Sequence, residues 1–362
     1  MTAPKTSEAL SVWRRQMELP RYLRVAEGQQ QLTDMLVAIA GELGFTGVCL
    51  ISGTTVTQTI AAGLAEQLPL ATGSLGVSDN SEEQVETLAA SPELKTVDAV
   101  VAIGGGKTID VAKSVCEQVD LPLIVVPTQL TADGIASPVS VIRGRTGAFE
   151  SRHARLPIGL VVDLDVLVRS PVESARAGLG DLIANACAVR DWRRAAAAGR
   201  ETTDDFAALL AEAASDLVCG TDVTGLREGP LETGFLHRLL QGLVLSGLAM
   251  EIAGSSRPCS GSEHLVSHAI DQLYPGAARH GEQVAFGTLL CSRFQGEDWR
   301  AIRQLMMSAG MEPATKGFGL SEDQIVAAVR AAPGTRPGRY TILDEIDLTD
   351  AALLGVVREV IG

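Results

Sequence analysis

Apolar residues recur along this chain in two rhythms, and the change falls near residue 165. Before it, short β-branched runs closed by glycine, proline or aspartate alternate with stretches of helical spacing. The runs at 48–52, 98–103, 123–126 and 158–162 predict strands, with a shorter one at 76–78. Between them, 32–43, 54–66 and 107–118 carry helix-type spacing, and Ser81 followed by Glu82 and Glu83 marks another helix start. Strands alternating with helices of about a dozen residues imply βαβ units and a largely parallel sheet. From Ser170 onward the spacing is helical almost throughout. Helices are predicted over 179–194, 204–218, 231–253, 264–271, 281–294 and 321–330, with a further start at Pro171-Val172-Glu173. The expected organisation is an α/β domain over residues 1–168 and an all-α domain over 169–362, with the active site in the cleft between them. Residues 1 to about 20 read as a lead-in without chemistry.

Composition narrows the class. A length of 362 residues exceeds what one core usually organises, in keeping with two domains. Lys+Arg at 30 against Asp+Glu at 44 gives a formal charge of −14, and no basic tract offers clustered cations to phosphates, so nucleic-acid binding is not expected. The six cysteines stand apart at 49, 116, 187, 219, 259 and 291 with no C-x-x-C pair, which argues against a disulfide framework and suits a reducing cytoplasm. No secretory signal pattern is present, and no apolar run reaches transmembrane length, so membrane insertion is not expected either. Histidine is the odd feature: three of five, at 264, 268 and 280, fall within 17 residues.

Three segments could carry chemistry. Gly104-Gly105-Gly106-Lys107-Thr108-Ile109-Asp110 follows the strongest strand and opens a helix. Glycines there permit unusual φ and close approach of a ligand, and free amides at a helix start bind a pyrophosphate. The spacing matches neither G-x-x-x-x-G-K nor G-x-G-x-x-G, so an ordinary strand–helix turn fits equally well. The segment from Pro127 to Pro138 holds Thr128, Thr131, Asp133 and Ser137 past another strand, at the sheet edge where open α/β folds bind ligands. Last, Gly178-Leu-Gly-Asp181 places a carboxylate in a predicted first helical turn, His264 and His268 share a helix face, and His280 follows a Tyr-Pro-Gly turn. One carboxylate and two imidazoles from separate helices suit a catalytic divalent metal with an open position.

These segments occur together, in order, with Gly-Asp-Leu-Ile-Ala-Asn at 180–185, Gly-Ser-Glu-His-Leu-Val-Ser-His at 261–268 and His-Gly-Glu-Gln-Val at 280–284. The set resembles the superfamily of metal-dependent, iron-type alcohol dehydrogenases and dehydroquinate synthases, most of all its sn-glycerol-1-phosphate dehydrogenase branch. The resemblance spans about residues 19–290. It implies a dehydroquinate synthase-like fold, with a Rossmann-like first domain and a helical second one. It implies metal ligands Asp181, His264 and His280, with Zn2+ first and Fe2+ or Ni2+ also suited. His268 would stand beside the metal or the substrate, and Asp133 would hold substrate hydroxyls. NAD(H) or NADP(H) would lie on the amides of Gly105 and Gly106, with Gly53, Asp79, Gly104, Lys107, Asp110 and Ser137 around it and Thr128 and Thr131 on the nicotinamide side. Ile51-Ser52-Gly53-Thr54 lacks the carboxylate that glycerol dehydrogenases often place there, so a 2′-phosphate is admissible, while Asp79 could favour NAD(H).

The expected reaction is hydride transfer between a nicotinamide and a small polyol phosphate, interconverting dihydroxyacetone phosphate and sn-glycerol 1-phosphate. Arg257 and Arg279, beside the metal motifs, are the first choices for gripping the phosphate, ahead of Arg143, Arg145 and Arg152. Two departures bear on the substrate. Thr131-Ala132 stands where the branch carries Ser-His, and the stretch between His268 and His280 is short. A dehydrogenase of unphosphorylated glycerol or another polyol is therefore an open alternative. A sugar-phosphate cyclase, which is a lyase, is disfavoured by Asp181 in place of glutamate and by Lys316 being the only lysine of the second half. The expected partners are the small substrate and further copies of the chain in a homo-oligomer. The tail after about residue 300, including Arg336-Pro-Gly-Arg-Tyr340, reads as structural.

Overall fold

A computed structural model describes residues 19–312 and 314–362. Its first half contains β1 (Tyr22–Ala26), α1 (Gln29–Leu43), β2 (Gly47–Gly53), α2 (Val56–Gln67), β3 (Ala71–Val77), α3 (Glu82–Ala89), β4 (Ala99–Gly104), α4 (Gly106–Val119), β5 (Leu123–Pro127), β6 (Val139–Arg143), β7 (Phe149–His153) and β8 (Gly159–Asp163). Among the described residues, six strands pair in parallel in the order β1-β8-β5-β4-β2-β3. From β2 the chain goes outward to β3, then returns to β4 on the other side. The carboxyl ends of β2 and β4 therefore flank a topological switch point, where such sheets leave a crevice for a ligand.

The sheet's alternation sorts its side chains into two layers. Leu50, Val101 and Ile124 face Leu32, Leu36 and Leu64 of α1 and α2. Cys49, Val100 and Val125 face the opposite way, into a core shared with Val85 of α3 and Val115 of α4.

The second half is helical: α5 (Leu164–Val168), α6 (Val172–Ala197), α7 (Asp205–Cys219), α8 (Thr233–Ala253), α9 (Ser262–Leu273), α10 (His280–Gln295), α11 (Trp299–Ser308), α12 (Ala314–Gly317), α13 (Glu322–Thr335) and α14 (Asp350–Ile361). Leu179, Leu239, Leu289, Val329 and Val357 from these helices join the same apolar cluster as Val100 and Val125. One core thus spans the proposed division.

Several expectations need correction. Asp181 lies well inside α6, not in a first turn, because the helix starts at Val172 behind Pro171. Gly178 and Gly180 do not break it. A side chain at Gly178 would strike the Leu130 carbonyl and one at Gly180 the Gly281 carbonyl, so these glycines let the loop after β5 and α10 pack onto α6. Edge strand β1 and the antiparallel β6–β7 hairpin were not expected, since Tyr-Leu-Arg-Val-Ala and Phe-Glu-Ser-Arg-His are half-exposed and lack an apolar run. Amphipathic α11 and α14 escaped for the same reason. Helix α8 is long and apolar enough to cross a membrane by length and composition. Its Leu236, Leu239, Leu240 and Leu243 are buried, the pattern of a core helix.

Candidate active site

Three helices bring the expected ligands together. Asp181 projects from the middle of α6, His264 from the first turn of α9 and His280 from the first residue of α10. One ligand atom from each lies within 4.8 Å of the others. His264 Nε2 stands 3.6 Å from Asp181 Oδ1, and the His264 and His280 ring centroids are 5.3 Å apart. Asp181 and His264 are buried, whereas His280 stays exposed at the mouth. Close packing holds the group. A side chain at Gly281 would meet the Ala177 carbonyl, and one at Gly287 the Glu263 carbonyl, so α10 lies against both α6 and α9.

Each ligand is oriented by a neighbour. Glu263 Oε1 lies 2.9 Å from His264 Nδ1 and also accepts from the Gly261 amide at 2.5 Å. Ser267 Oγ lies 3.2 Å from His280 Nδ1 and donates to Gln283 Oε1 at 2.9 Å, while Gln283 donates on to Asp271. Burial pulls the His264 imidazolium down, but the neighbouring carboxylates of Asp181 and Glu263 outweigh it and carry its pKa to about 9. A site that holds a proton between two carboxylates has the charge for a divalent cation, and its N₂O donor set with an open face suits one. His268, one turn beyond His264, lies with its ring centroid 6.4 Å from those of both His264 and His280. Burial, then the charges of His264, His280, Arg336 and Arg339, press its pKa to about 3, so it is a neutral imidazole at neutral pH.

The loop after β5 enters this site from the sheet side. The Asp133 amide donates to Asp181 Oδ2 at 2.9 Å, and its carboxylate accepts from Ser246 Oγ of α8 at 2.7 Å. Asn185 of α6 donates to Ser246 in turn at 3.2 Å. Burial and the Asp181 charge raise Asp133 to about 7. Ser246 carried no sequence signal beyond being a polar residue on an apolar helix. Its neighbour Gly247 leaves room for the Ala136 carbonyl, which seats the loop on α8.

The glycine turn lies at the switch point. Gly104 makes space for Thr108, but Gly104, Gly105 and Gly106 all keep ordinary negative or extended φ, so close approach and not an unusual backbone explains them. Cβ atoms at Gly105 and Gly106 would meet Gln129 and Thr131 Oγ1, each at 3.7 Å, so the turn packs against the loop after β5. Thr128 is buried with no hydrogen-bond partner for its Oγ1 among the described residues. Gly53 closes β2 beside Thr57, and Lys107 Nζ reaches the Ser78 carbonyl at 2.9 Å. Asp79 follows β3 and accepts from the Ser81 amide at 2.7 Å.

Two further residues of the expected cofactor set have partners within the protein. Ser137 is buried, with its backbone beside Gly247 and its hydroxyl donating to the Val139 carbonyl at 3.5 Å. Asp110 faces the buried Lys113 ammonium and the Val141 amide, and burial raises it to about 6.

Among the arginines, Arg145 and Arg152 pair with Glu82 and Glu86 or Glu150 on the surface. Arg279 is the exposed N-cap of α10, and Arg257 is buried against Glu201. A second acid-rich group, Cys187, Asp191 and Glu263, is fully buried. Asp191 accepts there from the Ser262 and Ile342 amides at 2.7 and 2.9 Å, anchoring the start of α9 and the chain's last quarter.

A chain of Hyperthermus butylicus, glycerol-1-phosphate dehydrogenase [NAD(P)+], is 37% identical over 96% of this chain and 99% of its own length. The chain belongs to the glycerol-1-phosphate dehydrogenase family. A family member from Nitrosopumilus maritimus is 34% identical, covering 92% of this chain and 93% of its own. Residues 27–171 also match the family model described as iron-containing alcohol dehydrogenase. The fold of the family extends to more distant structures. A probable glycerol dehydrogenase from Sinorhizobium meliloti 1021 superposes with a TM-score of 0.76 at 20% identity, covering 96% of this chain and 98% of that one. Sulfoacetaldehyde reductase from Bifidobacterium kashiwanohense, in complex with NAD+, gives 0.75 at 18% identity over 96% and 98%.

Proposed function

We propose that this chain interconverts dihydroxyacetone phosphate and sn-glycerol 1-phosphate with NAD(H) or NADP(H) and one divalent metal. The convergence of Asp181, His264 and His280 within 4.8 Å carries this reading, and the Asp133 amide on Asp181 links it to the loop that follows β5. The names of the family relatives, glycerol-1-phosphate dehydrogenase [NAD(P)+], support the substrate and the cofactor.

In this reading residues 1–168 form the cofactor domain and 169–362 the metal and substrate domain. Asp181, His264 and His280 hold the metal, Zn2+ first, with Fe2+ or Ni2+ suited to the same ligands. The amides of Gly105 and Gly106 at the start of α4 hold the pyrophosphate, with Gly53, Gly104 and Lys107 beside them and Asp79 near the adenosine ribose. Thr128 and Thr131 line the nicotinamide side, where the unpartnered Thr128 hydroxyl would find its partner. Bound there, the metal supplies Lewis acidity at the substrate oxygen and the nicotinamide gives or takes the hydride. Asp133, raised to about 7, can accept or donate to a substrate hydroxyl near neutral pH. Neutral His268 orients the substrate by hydrogen bonding without adding charge. The protein works as a homo-oligomer in the cytoplasm.

The test is direct. Metal-loaded protein is mixed with NADH or NADPH and dihydroxyacetone phosphate, and the nicotinamide absorbance is followed. Oxidation of the cofactor supports the reading. Silence with that substrate, alongside turnover of glycerol or another unphosphorylated polyol, overturns it.

A further inference from the structure

Three guanidinium groups from distant parts of the chain meet beside α9. Arg336 Nη1 and Arg339 Nη2 both donate to Ser256 Oγ, each at 3.1 Å, and Arg339 Nη1 donates to the Ser260 carbonyl. Arg257, only 4% exposed, gives Nε to Glu201 at 2.6 Å and Nη2 to the Tyr340 carbonyl at 2.8 Å. Its Nη1 is buried without a hydrogen-bond partner among the described residues. Among the described residues, Arg336 and Arg339 form no ion pair with a carboxylate, so Glu201 alone pairs with the three.

Such a group is electrostatically costly. Burial and the charges of Arg336 and Arg257 push Arg339 down to about 9, and burial and Arg257 lower Arg336 as well. Partly buried like charges oppose one another and lack hydration, and an anion seated among them relieves both. The hydrogen-bonding directions agree. Ser256 Oγ already accepts two N–H bonds, which leaves its own hydrogen to donate.

The place is equally specific. Ser256, Arg257 and Ser260 belong to the loop between α8 and α9, which runs directly into Glu263 and His264. Through its bond to the Ser260 carbonyl, Arg339 reaches this loop four residues before His264.

We propose that Ser256, Arg257, Arg336 and Arg339 form the subsite that takes the phosphate monoester of the substrate, an assignment that rests on the proposed function and adds where selectivity for a phosphorylated substrate resides. A dianion with three acceptor oxygens matches several converging guanidinium forks better than a single carboxylate does. Arg279, exposed at the start of α10 and outside this network, is not part of it.

The test compares metal-loaded wild-type protein with Arg336→Gln, Arg339→Gln and Arg279→Gln. Two quantities are read: the ratio of kcat/KM for dihydroxyacetone phosphate over dihydroxyacetone, and the affinity for inorganic phosphate by calorimetry. Arg336→Gln and Arg339→Gln should each lower the ratio about 10- to 100-fold, the worth of one charged hydrogen bond, and weaken phosphate binding in step. Arg339→Lys should recover part of the loss, because charge returns without the fork. A ratio changed less than about threefold by both glutamine variants, with a collapse in Arg279→Gln, overturns the assignment and leaves the proposed function standing. Should wild type not act on dihydroxyacetone phosphate, the proposed function fails by itself. Phosphate binding that is lost in both glutamine variants still supports the subsite, and binding that is equal in all proteins overturns it.

Discussion

The amide of Asp133 donates to Asp181 Oδ2 at 2.9 Å, across 48 residues of chain. Through this bond the loop that leaves the parallel sheet fixes a carboxylate of the helical half. The orientation of Asp181 thus depends on a backbone group of the other half.

Replacing Glu263 by Gln tests how far the ligand geometry depends on support from behind. Glu263 Oε1 contacts His264 Nδ1 and accepts from the Gly261 amide, and its Oε2 is buried without a hydrogen-bond partner among the described residues. The variant should fold normally and bind its metal roughly 10- to 100-fold more weakly, as for other partners of metal-bound histidines. Chelator competition measures this, and an unchanged affinity would show Glu263 to be packing only.

Gly281→Ala should destabilise the protein by about 1–3 kcal/mol or more, because the added methyl would collide with the Ala177 carbonyl at the α6–α10 crossing. His280 is the next residue, so metal stoichiometry should fall as well. Urea unfolding and metal analysis together check this. A loss under about 0.5 kcal/mol, typical of neutral surface changes, would mean that the helices move apart freely.

Asp133→Asn carries a pH signature in the metal-free protein. The folded pKa of Asp133 is raised from 3.8 to about 7, so between these values the folded state holds a proton that the unfolded chain has released. Its contribution to stability is therefore full below about pH 4 and is lost as pH rises toward 7, at up to about 1.4 kcal/mol per pH unit. Relative to wild type, the variant should gain stability across that window, read as the difference between urea midpoints after chelation. A difference that is flat with pH contradicts the assignment.

Cofactor choice can be read at the end of β3. With Ser52, Gly53 and Thr54 at the β2 edge, the nearest carboxylate that sequence reasoning singled out is Asp79. Asp79→Asn should strengthen NADPH binding relative to NADH by about tenfold, by relieving repulsion of the 2′-phosphate. Fluorescence titration with both nucleotides decides it, and an unchanged ratio places the ribose contact elsewhere.

Much of the fold was legible because it rests on short-range periodicity. The buried strands β2, β4, β5 and β8 announced themselves as β-branched runs, since both faces of a parallel strand meet apolar neighbours. Edge strand β1 did not, because exposure on one side lets Arg24 sit mid-strand. The segments carrying Asp181, His264 and His280 were legible as motifs, and spacing alone put His264 and His268 on one face.

Long-range packing was not legible. Nothing local to Gly178 or Gly180 says that one faces the Leu130 carbonyl and the other α10, and the same glycines suggested a helix start where a helix was already running. Ser137 looked available in its loop, yet α8 covers it. Arg336 and Arg339 looked like a structural tail until Ser256, about 80 residues earlier, proved to be their shared acceptor.

By itself the sequence determined the α/β-then-helical layout, the glycine turn at a strand end and the types of ligand available. Tertiary structure alone decided that the loop after β5 orients Asp181, that Glu263 backs His264, and that three arginines converge on the loop before α9. The physical reason is range: helix and strand patterns are set by neighbours within a turn or two. Charge networks and close helix crossings are set by residues that meet only when the core is packed.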